Sequence, residues 1–240
     1  MTVREIYTYL DELSPFALQE SWDNSGLLVG DFSQEVSTVV LSIDIDEELI
    51  DLIPPNALVI THHPVIFGGL KQLQFNQYPA KMLAPMIRKN ISNIAMHTNF
   101  DQTHLNDYVA TEVLGYPVIA KEGFVAYLGV DEPFEAFAGK VKGALGLSHV
   151  RAVQCHDHVR TCALVTGSGA SLMRNIQADC FLTGDIKYHD AMEAKTLGLS
   201  MIDIGHYESE RYFGEVLGGY LEKLGLNVII SASKNPFTYL

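Results

Sequence analysis

Two adjacent histidines, His62 and His63, close the apolar run "ALVITHHPVIF", and Pro64 follows at once. Along a strand, neighbouring side chains point to opposite faces. The two imidazoles can serve one target only if the strand ends here, and Pro64 biases His63 toward extended or polyproline geometry. A second group lies in "AMHTNFDQTH", where His97, Asn99 and Asp101 stand between a strand and a helix. A third is "IDIGHYESER": His206 and Glu210 lie four residues apart at a helix start and share one face.

His62, His63, Asp101, His206 and Glu210 together offer three imidazoles and two carboxylates. That donor set suits borderline divalent ions such as Zn²⁺, Mn²⁺, Fe²⁺, Co²⁺ or Ni²⁺. Five ligands exceed the three of one open catalytic site. They suit two ions sharing a carboxylate, which can generate hydroxide and stabilise an oxyanion. Each group alone has a plainer reading: a histidine pair split between core and surface, a capped core histidine, a surface pair on a helix. What links them is position, because ligands gather at the carboxyl ends of strands in open parallel sheets.

Other candidates carry less. His189 and Glu193 are also four apart and read first as a helix surface, just after "LTGD", where Asp185 suits a pocket wall. "TGSGAS" (166–171) could present N–H groups to an anion but lacks the lysine of a phosphate-binding loop, so it reads as a tight turn. Asp23 and Asn24, beside the only tryptophan, read as turn formers, and Asp44 as an ordinary strand-end carboxylate. Cys155, Cys162 and Cys180 form no C-x-x-C pair and read as small buried hydrophobes.

The elements that must hold these residues alternate. "TVVLSIDI" (38–45), "ALVITHH" and "ISNIAMHTN" (91–99) read as strands. "PAKMLAPMIRKN" (79–90) and "HLNDYVATEVLG" (104–115), the latter closed by Gly115, read as helices. The middle is less regular, with a strand at 122–130, a helix at 131–146 and two strands with a turn near "HDH" within 149–166. The rhythm returns in "ADCFLTGDI", "KYHDAMEAKTLG", "LSMIDIG" and the last strand, "LNVIISAS". This predicts an α/β fold of two units with largely parallel sheets covered by helices. The change of rhythm suggests residues 1–123 with 200–240 as one domain and 124–199 as the other.

The 240 residues carry a formal charge of −13, which weighs against nucleic-acid binding. No apolar run approaches the roughly 18–20 residues of a membrane span, and the N-terminus has no signal-peptide core, so a cytoplasmic protein is expected.

"SWDNSGLLVG", "THHPVIFGGLKQL", "AMHTNFD", "GSGAS", "FLTGDIKYHDA" and "IDIGHYESER", in this order, resemble the NIF-three-like family, whose members carry the name GTP cyclohydrolase I type 2 homologues. The resemblance runs from about residue 6 to "KNPF". It implies a two-domain α/β fold, a metal site of two divalent ions between the domains, and a toroidal homohexamer. It assigns His62, His63, Asp101, His206 and Glu210 to the metals and places His97 in the pocket as a proton shuttle. Asn99, Asp185, Lys187 and His189 are then candidates to bind a small-molecule substrate. The reaction implied for that family opens the imidazole ring of GTP and releases formate. A broader expectation is metal-assisted hydrolysis of a nucleotide or other heterocyclic or phosphorylated small molecule. The rival is a non-enzymatic metal-binding hexameric scaffold or metal-handling protein. A triphosphate would need cations, and the chain has only 16 Lys and Arg, with Lys187 and Arg211 nearest the motifs.

Overall fold

The computed structural model describes residues 1–238. Its strands are β1 (Gly26–Val29), β2 (Thr38–Ser42), β3 (Leu58–Thr61), β4 (Ser92–Ala95), β5 (Val118–Glu122), β6 (Val125–Pro133), β7 (Arg151–Val153), β8 (His158–Leu164), β9 (Cys180–Thr183), β10 (Ser200–Asp203) and β11 (Asn227–Ile230). The helices are α1 (Val3–Leu13), α2 (Glu47–Leu52), α3 (Ala80–Arg88), α4 (Thr98–Phe100), α5 (Asn106–Tyr108), α6 (Phe134–Ala144), α7 (Tyr188–Leu197), α8 (His206–Glu210) and α9 (Phe213–Leu221). The chain divides into two compact units: Met1–Phe100 with Phe213–Lys234, and Asp101–Tyr212 with the tail from Asn235.

In the first unit the sheet order is β1-β4-β3-β2-β11. Four strands run parallel and β1 closes one edge antiparallel. Every residue of β3 is buried, as the centre of a sheet covered on both faces requires. Ile50, Met82, Leu83 and Met86 from the helices pack against Val40 and Val59 of the strands. A capping box at Thr2 and Glu5 starts α1.

The second unit holds a six-stranded sheet, β5-β6-β8-β9-β10-β7. Its centre, β8-β9-β10, is parallel, and antiparallel strands finish both sides. Phe181 and Met201 from the strands pack with Met173, Ile176 and Ala194 on one face. The two strands expected around "HDH" exist, but they do not pair as a hairpin: β7 joins β10 and β8 joins β6 and β9.

The first domain was expected to leave at 123 and return at 200; the observed unit leaves at Phe100 and returns at Phe213. The reason is pairing. β5 and β10 are both strands of the second sheet, so the segments that carry them follow it. Cys162 and Cys180 are buried neighbours across β8 and β9, where burial pushes the Cys162 thiol well up; Cys155, in contrast, is exposed.

Candidate metal centre

In the first unit the three histidines of interest stand beyond the carboxyl ends of β3 and β4. β3 ends at Thr61, so the chain does leave the strand at the histidine pair. The parallel ladder still guides it: His62 N–H donates to Ser42 O at 3.1 Å and His63 N–H to Ile43 O at 2.9 Å. The imidazoles converge, with ring centroids 5.2 Å apart and planes tilted 42°. His97 meets them edge-on at 5.2 Å from His62 and 5.6 Å from His63. One ligand atom from each of the three lies within 4.8 Å of the others.

Each ring is held by its Nδ1. His62 is fully buried against Phe213, and its Nδ1–H donates to Met96 O at 2.9 Å. His63 Nδ1–H donates to Asp44 Oδ1 at 2.9 Å. His97 Nδ1–H donates to Asp23 Oδ1 at 2.7 Å. A carbonyl or carboxylate can only accept, so each bond fixes the proton on Nδ1 and leaves Nε2 as the lone-pair nitrogen. This is the outer-shell arrangement that orients histidine toward a metal. Burial alone would raise the Asp23 carboxyl. The hydrogen bonds from His97, from Thr98 and from the Asn24 N–H outweigh it and hold Asp23 well below the usual carboxylate range.

The second unit holds the other candidate residues. His206 opens α8 and Glu210 closes it, with His206 Nε2 3.1 Å from Glu210 Oε2. His206 Nδ1–H donates to Asp185 Oδ2 at 2.7 Å, the same anchoring again. Asp185 adopts φ +57°, a left-handed backbone that Asp tolerates better than most residues. Glycines let the strand ends close in. At Gly167 a Cβ would stand 2.0 Å from Glu210 Oε1; at Gly184 one would stand 2.7 Å from both Gly167 O and His206 N. Ser209 ties the turn down, accepting from Gly167 N–H at 3.0 Å and donating to Gly205 O at 2.7 Å. The "TGSG" turn is thus the floor on which Glu210 lies.

Asp101 is buried and opens a π-helical segment, Asp101–Leu105, where a one-residue bulge re-aims side chains. Thr166 Oγ1–H is shared between Asn106 Oδ1, 2.9 Å away, and Asp101 Oδ1, 3.3 Å away. The helix expected over 104–115 therefore begins earlier and carries two π turns, the second at Val109–Val113.

The candidates for substrate contact fare unevenly. Asn99 is fully buried; its amide donates to Ser14 and its Oδ1 accepts the His97 N–H, so it shapes the backbone around His97 and does not face a ligand. Asp185 orients His206. Lys187 and His189 are exposed at the start of α7, and Glu193, the expected partner of His189, is engaged by Arg174. Sequence reasoning missed the supporting roles of Asp23, Asp44 and Gly167. One of these had a signal. β2 and β3 pair Ser42 with Thr61, so two residues on Asp44 must stand beside His63.

The sequence model of the family described as Duf34/NIF3 (NGG1p interacting factor 3) matches residues 1–236. The chain is 50% identical over 240 residues to the "GTP cyclohydrolase 1 type 2 homolog" of Campylobacter jejuni, covering all of both chains. It is 43% identical over 236 residues to the "GTP cyclohydrolase 1 type 2" of Helicobacter pylori, covering 98% of this chain and 97% of that one. Among solved structures, a Staphylococcus aureus hypothetical protein superposes with a TM-score of 0.87 at 28% identity, covering 100% and 99% of the two chains. A Bacillus cereus protein related to NIF3 shares the fold at a TM-score of 0.83 and 20% identity, over 100% and 99%. The mixed α/β architecture and the match along almost the entire sequence place this chain in the Duf34/NIF3 family.

Proposed function

We propose that this protein is a dinuclear divalent-metal-dependent hydrolase of small heterocyclic or nucleotide substrates, with GTP ring opening and formate release as the leading reaction. The observation that carries this reading is the shared anchoring of His62, His63 and His206, the three proposed histidine ligands, by Nδ1 to oxygen acceptors, which presents Nε2 in each. Structural histidines have no need of that uniformity; metal-ligating ones do. The donor set fits a borderline ion such as Zn²⁺, Mn²⁺ or Fe²⁺. His62, His63, Asp101, His206 and Glu210 are the proposed ligands, to be gathered from both units into one centre. Divalent ions held there would polarise a carbonyl or imine and acidify a water.

Proton transfer falls to His97. Its Asp23 partner fixes the tautomer, so Nε2 is the atom that takes or gives a proton beside the reacting group. Asn99 keeps the His97 backbone in place. The further expectation is a homohexamer, read by sedimentation.

The metal-handling reading draws on the scarcity of cations for a triphosphate. Arg211, one of the two candidates, spends its guanidinium on Leu145 O and the Tyr212 hydroxyl. Metal-loaded protein assayed against GTP and related nucleotides separates the two readings. Formate release that the His206→Ala variant loses supports the hydrolase. Full metal loading with no turnover on any of them favours metal handling.

A further inference from the structure

Trp22 and Phe67 are large aromatic side chains that remain 54% and 55% exposed beside the histidine cluster of the first unit. Their ring centroids are 6.0 Å apart and their planes meet at 43°, so they form an open corner and not a closed stack. His97 is edge-on to both, 6.2 Å from Trp22 at 77° and 6.3 Å from Phe67 at 76°. Three rings thus meet around one point, and one of them is the proton-carrying histidine.

The corner is held in place. Asn24 Nδ2 donates to Ile66 O at 2.6 Å and ties the loop that carries Phe67 to the turn that carries Trp22. Asn24 N–H also donates to Asp23 Oδ1, the atom that anchors His97. Within "WDN", Trp22 offers a face, Asp23 sets His97, and Asn24 fixes the facing loop. Leaving two such rings in water is costly unless something covers them. What best covers an open aromatic corner is a flat ring, because stacking on tryptophan is favourable and tolerant of the ring's identity.

We infer that Trp22 and Phe67 form the platform on which a planar nitrogen heteroaromatic ring lies while His97 acts on it. This names the residues that receive the substrate ring of the proposed function and rests on reading the histidine cluster as the reaction centre. Recognition here comes from the ring face, so it needs few cations, which suits a chain with 16 Lys and Arg against 29 Asp and Glu.

Trp22 is the only tryptophan, so its fluorescence reports this corner alone. The test titrates the full-length protein with guanosine and adenosine, exciting at the red edge of tryptophan absorption, with ribose 5-phosphate as the control. Saturable quenching by the nucleosides and none by the sugar phosphate is expected. Phe67→Ala should weaken the quenching constant about tenfold, within the range for loss of one stacking face. By calorimetry Trp22→Ala should weaken nucleoside binding about as much, and Trp22→Phe should largely restore it. Both side chains are exposed, and a thermal melt checks that each variant folds. Absence of quenching up to the solubility limit, equal quenching by ribose 5-phosphate, or unchanged affinity in Trp22→Ala would overturn the inference. So would loss of self-association in Trp22→Ala with nucleoside binding intact, because the pair would then be an interface between copies. Binding is read without turnover and with or without added metal, so failure of the hydrolase reading and failure of the platform give different results.

Discussion

The two units place their candidate residues with different emphasis. In the first, three histidines are aimed by partners at the ends of hydrogen bonds: a carbonyl for His62, an exposed carboxylate for His63, a buried one for His97. In the second, the backbone itself comes close, and Gly167 and Gly184 make room for Glu210 and the start of α8. Side-chain aiming can be weakened by degrees. Close backbone approach fails at once when a methyl group is added. The second unit should therefore be the brittle half and the first the tunable one.

Gly167→Ala tests the brittle half and should have the largest effect. Its φ of +66° opposes a Cβ, and the Glu210 carboxylate, 2.0 Å from where that Cβ would stand, would have to swing away. A stability loss of about 2 kcal/mol in denaturant melts is expected, together with loss of retained metal. A variant that melts like the parent and keeps its metal would remove the contrast. His62→Ala comes next. It deletes a proposed ligand and should cost more metal affinity than the roughly 10–100-fold typical of an outer-shell change.

Asp44→Asn and Asp185→Asn compare the halves at matched positions, since each carboxylate holds a proposed ligand by Nδ1. Each should weaken metal binding about tenfold by competition with a chelating dye. A large effect of one with none of the other would sharpen the comparison to a single unit. The smallest effect is expected at Asp179, away from the candidate site. Burial raises its carboxyl, but the N–H groups of Arg160 and Thr161 outweigh that and lower it. A lowered carboxyl stabilises fully above its unfolded value, about 3.9, and loses that contribution as pH falls through the folded value. The stability gap between the parent and Asp179→Asn should therefore close below about pH 3.9.

The strands and the histidine motifs were legible because their signals are local: β-branched runs, His62 beside His63, and His206 four residues from Glu210. What escaped depends on contacts distant in sequence. Asp23 reads as a turn former until His97, 74 residues on, is beside it. The glycine of "TGSG" reads as a turn until Glu210 lies on it. The unit boundary moved because β5 and β10 chose the second sheet, a choice that no run of residues records. The π turn at Asp101 keeps an ordinary helical sequence, so nothing local marks it.

The central claim is that these residues hold two divalent ions. Protein purified without chelator, then supplied with Zn²⁺, Mn²⁺ or Fe²⁺ and desalted, should carry two ions per chain by elemental analysis, and His206→Ala should carry fewer. No bound ion after supplementation, or the same metal content in His206→Ala, would contradict the account.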